Sequence, residues 1–321
     1  MKKDLVIGID IGGTKIAAGL FDSQGNFLAR SFSNSHAGCP PDRVVDAVVA
    51  SADALLVESG VSKSDIKGVG VGCAGHINFQ RGVVLANSNL PDWHNNPLRE
   101  TLQGCLKMPV ILDNDANCAA WGEFRFGAGR GSCNMCYITF STGCGMGIII
   151  NGKLYRGATG TAGEIGHTIV NPDGPLCFCG KRGCLMSYAC GMALDRDGHE
   201  CLKCGEDTLF NRLCGECKEH IPAEQIAEAA RQGAPAALHL IETTGKYFGI
   251  GLSTVVEVLN PDTIVIGGGL SHIGHLLLDP CIESLNEHIQ PVLVDSARIV
   301  MSELWNDAGV LGAGALVWEK S

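Results

Sequence analysis

The chain has 321 residues, 45% of them hydrophobic and 18% charged, which is enough apolar material for a sizeable core and argues against wholesale disorder. The net charge of −10, with no Lys/Arg run beyond Lys2-Lys3, disfavours a nucleic-acid backbone or an anionic membrane surface as partner. This length predicts about two domains.

The first apolar run, Leu5-Val6-Ile7-Gly8-Ile9, stops at Asp10 and is too short for a signal-peptide core; no stretch reaches the length of a membrane span. A cytoplasmic location follows, where 16 cysteines serve as metal ligands or buried thiols rather than disulfides. Strands are predicted over 5–10, 15–21 and 26–33, then a helix over 42–59 with apolar residues at a helical period. Short buried strands follow at 67–71 and 109–112, and a helix at 116–126. Residues 135–140, 146–150 and 153–155 repeat the opening strand–turn–strand–strand pattern, a duplicated β-meander. Helices over 222–232 and 235–259, a strand over 263–266 and a glycine-rich helix over 308–316 complete the chain. Alternation of this kind predicts two α/β lobes around a cleft.

Two turns have the composition of anion cradles. Asp10-Ile11-Gly12-Gly13-Thr14-Lys15 and Ser141-Thr142-Gly143-Cys144-Gly145 each sit between strands, where glycines let backbone N–H groups approach a phosphate and Thr14 or Thr142 adds a hydroxyl. Alone, the first is equally an ordinary hairpin turn; a second such turn points to a phosphate chain held from both sides. Asp10 offers an oxygen suited to Mg²⁺. Neither a Walker A sequence nor a Rossmann glycine fingerprint is present. In Leu112-Asp113-Asn114-Asp115-Ala116-Asn117, a buried strand opens into a helix; Asp113 or Asn114 caps it, and Asp115 faces a ligand.

His167-x9-Cys177-x-Cys179-x4-Cys184 supplies a complete Cys3His set for a closed tetrahedral zinc site in a turn-rich loop. Buried free thiols are the plainer alternative, although Cys-x-Cys suits core packing poorly. Cys201-x2-Cys204-x9-Cys214-x2-Cys217 has paired spacing close to a zinc ribbon. It lies in a polar stretch with no core of its own, and is read as an insertion held by a second zinc or as exposed thiols.

Gly163-Glu164-Ile165-Gly166-His167 with Cys177-Phe178-Cys179-Gly180-Lys181-Arg182-Gly183-Cys184 resembles the signature of the ROK family, which groups bacterial sugar kinases with sugar-responsive repressors. The resemblance runs from Asp10 to Asp307-Ala308-Gly309. It implies the two-lobed actin-like (ribonuclease-H-like) ATPase fold, with a zinc-bound loop and lobes formed by residues 1–113 with 307–321 and by 114–306. It implies ATP as phosphoryl donor, although polyphosphate stays open, with Mg²⁺, and adenosine held at Gly267-Gly268-Gly269. Asn114-Asp115 matches the family's Asn-Asp pair, with Asp115 as catalytic base. Glu164, His167, Gly75 and Asn89 match sugar contacts, His167 also serving the zinc. A homodimer is implied as well.

One position departs from the pattern. The family motif ends Gly-Cys-x-Glu, whose Glu binds sugar hydroxyls; here the sequence is Gly183-Cys184-Leu185-Met186, and a thioether accepts hydrogen bonds weakly. The expected activity is ATP-dependent phosphorylation of a hexose, glucose first, at the 6-hydroxyl. N-acetylmannosamine, N-acetylglucosamine and fructose remain alternative substrates. A non-catalytic sugar sensor is the reading from another class; the start of the chain leaves no room for a winged helix before Asp10, which counts against a repressor.

Overall fold

The computed structural model describes residues 4–36, 38–87, 93–217 and 219–319. These form two compact units: residues 1–137, 146–163 and 302–321 make the first, and 138–145 with 164–301 the second.

The first unit opens with the meander β1 (Leu5–Ile11), β2 (Lys15–Phe21) and β3 (Phe27–Asn34), then α1 (Pro41–Ser59) and β4 (Ile66–Cys73). A small hairpin, β5 (His76–Asn78) with β6 (Val83–Ala86), and α2 (Leu98–Leu106) precede β7 (Val110–Asn114) and α3 (Asp115–Phe126). The sheet order is β3-β2-β1-β4-β7, with β1–β2 and β2–β3 antiparallel and β1–β4 and β4–β7 parallel. Alternation along β1 decides which face each residue serves. Leu5, Ile7, Ile9 and Ile11 join the core under α1 and α2, whereas Val6 packs with Phe21, Val310 and Leu311 on the opposite face.

A second five-stranded sheet repeats this order as β10-β9-β8-β11-β12, built from β8 (Met135–Phe140), β9 (Cys144–Ile150), β10 (Lys153–Leu154), β11 (Thr263–Gly267) and β12 (Arg298–Met301). The repeated meander expected from the sequence is therefore present in both sheets. Helices α4 (Gly191–Cys204), α5 (Thr208–Cys214), α6 (Ala223–Arg231), α7 (Pro235–Leu259) and α8 (His275–His288) belong to the second unit. Glycine sets the closest crossing there: a Cβ on Gly245 or Gly249 would lie 2.5 or 2.3 Å from the carbonyl oxygens of Leu277 and Cys281 on α8.

The chain returns to the first unit as α9 (Ala308–Glu319). This helix lies against the sheet and α3 at backbone-to-backbone range: a Cβ on Gly8 would sit 1.9 Å from the Val310 carbonyl oxygen, and one on Gly312 only 1.6 Å from that of Cys118. Because β7 runs straight into α3, and α3 packs along α9, Asp115 lies in the first unit, so the division expected after residue 113 falls inside that unit.

Residues 191–214 depart from expectation. The polar, cysteine-rich stretch forms the end of α4 and all of α5, and contributes to a core, since Phe210 and Cys214 are buried. Among the described residues, no helix is long and apolar enough to cross a membrane.

Candidate active site

In the first unit, parallel pairing aligns the carboxyl ends of β1, β4 and β7: Asp10 pairs with Gly72 and Gly72 with Asp113, then Ile11 with Cys73 and Cys73 with Asn114. Strand ends of this kind are where open α/β sheets present ligand-binding groups. Asp10 ends against the start of α9, where a Cβ on Gly309 would come within 2.7 Å of its Oδ2. Burial foremost, and then the Asp115 charge, push the Asp10 carboxyl up to about 7, with Lys15 pulling the other way. The two carboxylates therefore feel one another. Beyond Asp10, the Gly12 N–H donates to the Lys15 carbonyl at 3.0 Å and closes the turn, with Gly13 half-buried and Thr14 and Lys15 exposed.

The β7–α3 junction separates three polar neighbours by role. Asn114 is the helix cap, its Oδ1 accepting from the backbone N–H groups of Ala116 at 2.9 Å and Asn117 at 3.2 Å. Its Nδ2 donates to the Gly75 carbonyl at 3.0 Å. Gly75 has φ of +100°, and a Cβ there would lie 2.5 Å from the Ala86 carbonyl oxygen, so no larger residue fits. Asp113 is buried and points away, accepting from Asn117 Nδ2 at 3.0 Å and from Arg156 Nε at 2.7 Å. Asp115 is half-buried at the first turn of α3, its Oδ1 accepting from the Ala116 N–H at 2.9 Å. Asn89 lies outside the described residues. Nearby Asn87 is buried and donates from Nδ2 to the Ala74 carbonyl at 2.7 Å.

The second unit gathers the remaining glycine-rich turns. Ser141 N–H donates to the Gly143 carbonyl at 2.9 Å, while the carbonyls of Ser141 and Thr142 accept from Gly191 and Met192 at the start of α4. Gly268, at φ of +87°, presses on the Phe140 backbone, where a Cβ would lie 2.5 Å from the carbonyl oxygen. Gly267, Gly268 and Gly269 thus stand next to the turn bearing Thr142 and Gly143. Met186, buried, lies between two glycines: Cβ positions on Gly143 and Gly166 would be 3.0 and 3.3 Å from its Cε and Cβ.

Glu164 is exposed, one residue before the short 3-10 turn Ile165–His167, and its carbonyl accepts from the His167 N–H at 3.0 Å. His167, Cys177, Cys179 and Cys184 each offer a ligand atom, all within 4.8 Å of one another. His167 Nδ1 is 3.7 Å from Cys177 Sγ, and Cys179 Sγ is 3.6 Å from Cys184 Sγ. A tetrahedron with metal–sulfur bonds of about 2.3 Å has sulfur–sulfur edges of about 3.8 Å, so these spacings suit one small ion. Backbone contacts hold the loop: Cys177 N–H donates to Lys181 at 2.7 Å, and Leu185 N–H to Thr168 at 2.8 Å. With Nδ1 among the thiols, Nε2 is the His167 nitrogen directed elsewhere.

The second cysteine set is corrected. Cys201, Cys204, Cys214 and Cys217 do not converge into a metal-sized group; the first cluster is the only one of three or more such ligands among the described residues. Cys201 and Cys204 sit on the last turn of α4, Cys214 is buried on α5, and Cys217 Sγ donates to Gln225 Oε1 at 3.0 Å. Helix formation, with Asp207 accepting from Leu209 and Phe210 to cap α5, parts the two pairs. Sequence reasoning also passed over Arg156; a lone arginine before a glycine-rich loop carries no signal of burial.

The comparisons with known proteins agree with this architecture. The ROK family model matches residues 6–320. A glucokinase of Streptomyces coelicolor is 39% identical over 98% of each chain. The ROK glucokinase of Streptomyces griseus, solved with glucose and AMPPNP, superposes with a TM-score of 0.85 at 37% identity over 98% of this chain and 99% of its own. A xylose repressor of Caldicellulosiruptor bescii is 32% identical over 97% of this chain and 77% of its own. Two mixed sheets of one repeated order, glycine-rich turns at the strand ends and a match along almost the entire length agree, and the chain belongs to the ROK family, with its actin-like α/β fold.

Proposed function

We propose that the protein is an ATP-dependent sugar kinase that phosphorylates the 6-hydroxyl of a hexose, glucose first. The observation that carries this reading is Asp115, half-buried beside the desolvated Asp10 at a strand–helix junction fixed by the Asn114 cap. Whole-length similarity to glucokinases supports the type of reaction. Asp115 orients the sugar hydroxyl and accepts its proton as it attacks the γ-phosphorus. Asn114, the Gly75 turn, Asn89, Glu164 and the Nε2 of His167 hold the other hydroxyls. The turn Gly12-Gly13-Thr14-Lys15 and the turn of Thr142 and Gly143 take the phosphates, and Gly267, Gly268 and Gly269 the adenosine. Asp10 suits Mg²⁺: a carboxylate desolvated beside another gains most from a dication, and Mg²⁺ when bound neutralises phosphate charge. Zinc is the ion proposed for His167, Cys177, Cys179 and Cys184, whose donor types and spacing favour it. A cytoplasmic homodimer belongs to the same reading.

Met186 favours a second reading at the level of substrate. It occupies the position of a sugar-binding carboxylate with a weak acceptor, which widens the candidates to N-acetylhexosamines and fructose. ADP release measured over a panel of hexoses and N-acetylhexosamines tests both. Strong turnover with glucose is expected; turnover confined to another sugar selects the second reading, and none across the panel removes the kinase in favour of a sugar sensor.

A further inference from the structure

We infer that Arg156 is a positioning residue for this reaction, its guanidinium fixing the Asp115 junction against the β5–β6 hairpin while its backbone anchors the segment leading to Glu164. The inference rests on the kinase reading. Arg156 follows β10 and is mostly buried, its side chain 17% exposed. Nε donates to Asp113 Oδ2 at 2.7 Å, and Asp113 Oδ1 accepts from the Asn114 N–H at 2.8 Å and from Asn117 Nδ2 at 3.0 Å. Asp113 therefore ties the cap residue and the first turn of α3 to one cation. The guanidinium carbon lies 3.9 Å from the centre of the Phe79 ring, just past β5, and Phe79's own carbonyl accepts from Arg99 Nη1 at 3.1 Å. Nη2 is 3.7 Å from Glu319 at the end of α9.

The backbone of Arg156 anchors the following segment. Its carbonyl accepts from the Ala162 N–H at 3.1 Å, closing a loop that continues directly into Gly163 and Glu164. Two glycines of that loop admit no side chain: Gly160 (φ +90°) and Gly163 (φ +98°), where a Cβ would sit 2.5 and 2.0 Å from the carbonyl oxygens of Ile77 and Met146. Three segments distant in sequence thus meet at one side chain that touches no reacting group, and the backbone of the same residue closes the loop before Glu164. The forked, permanently charged guanidinium is what the geometry uses: one edge serves a carboxylate while its face lies on an aromatic ring, which an ammonium cannot do together. A buried Asp113 deprived of that cation would be drawn out of place, and Asn114 and Asp115 with it.

The test compares the full chain with Arg156→Gln, Arg156→Lys, Asp113→Asn, the Asp113→Asn/Arg156→Gln double variant and Lys246→Gln, an exposed ion-pair control. Sugar-dependent ADP release is read alongside melting temperature and hydrogen exchange. In Arg156→Gln, folded at the assay temperature, kcat is expected to fall about 100-fold with a much smaller change in the ATP KM, as for a displaced reacting group. Arg156→Lys recovers part of that loss, the double variant loses less than the product of the single losses, and Lys246→Gln matches the parent. Residues 110–117 and 156–163 should lose exchange protection together. A folded Arg156→Gln with kcat within about threefold of the parent overturns the inference, since a purely structural role lowers melting temperature alone. If the parent chain shows no sugar-dependent ADP release, the kinase reading fails, and exchange decides on its own: joint loss of protection upholds the clamp, and unchanged protection in either segment overturns it.

Discussion

The Asn114 side chain and the Gly75 carbonyl are joined by a 3.0 Å hydrogen bond, so the residue that caps α3 also holds the turn leaving β4. Asp115 follows that cap directly, and its placement is a property of two strands rather than of one loop. Asp115→Asn keeps this framework, because Asn114 still caps, and removes only the carboxylate. A kcat loss of about 10²–10⁴-fold is expected in coupled ADP-release assays. Calorimetry should give a glucose Kd within about twofold of the parent. Undiminished kcat would exclude Asp115 as the base.

Asp10 makes stability depend on pH in a defined direction. Its carboxyl is raised from 3.8 to about 7 by burial and by the Asp115 charge, so the folded protein holds a proton that the unfolded chain has released. Stability linked to this group is fully present below about pH 4 and is lost as pH rises through about 7. Without divalent cation, the melting temperature of the parent should therefore fall relative to Asp10→Asn between about pH 5 and 8. A constant difference across that range would show that Asp10 titrates normally.

For the Cys3His cluster, elemental analysis should give about one zinc per chain. Cys184→Ser should bind less metal and melt at lower temperature, since metal binding to the folded loop adds to folding free energy. About two zincs per chain would instead require Cys201, Cys204, Cys214 and Cys217 to close on a second ion.

Glu123 offers a test of the first unit's frame. It is fully buried, and its carboxylate accepts from the backbone N–H groups of Ala128 at 2.8 Å, Glu303 at 3.3 Å and Leu304 at 3.0 Å, and from the Ser302 hydroxyl. Glu123→Ala orphans those donors and should cost about 3 kcal/mol in denaturant unfolding. A change below about 0.5 kcal/mol would mean that the segment around Ser302 finds other acceptors.

Local rules made much of this legible. Short apolar runs marked the meander strands, most of which are buried on both faces, and the Gly/Thr turns marked its repetition. The Cys-x-Cys spacing located a ligand set that the fold does gather. Other features depend on contacts distant in sequence. Helices α4 and α5 were hidden because cysteines and charges masked their apolar face, although Phe210 and Cys214 are buried. Nothing local in 114–126 shows that α3 will lie along a helix formed some two hundred residues later. Arg156 was overlooked for the same reason, its partners Phe79, Asp113 and Glu319 being supplied by three separate stretches.

The seating of α9 constrains how the protein is made. Its glycine-lined groove on β1, β4 and α3 admits nothing thicker than backbone, and the residues that fill it come far after the sheet in the chain. A nascent chain emerging from the ribosome therefore carries the opening sheet with one apolar face, that of Val6 and Phe21, uncovered until residues 308–319 follow. During that interval the uncovered face is open to association with other apolar surface.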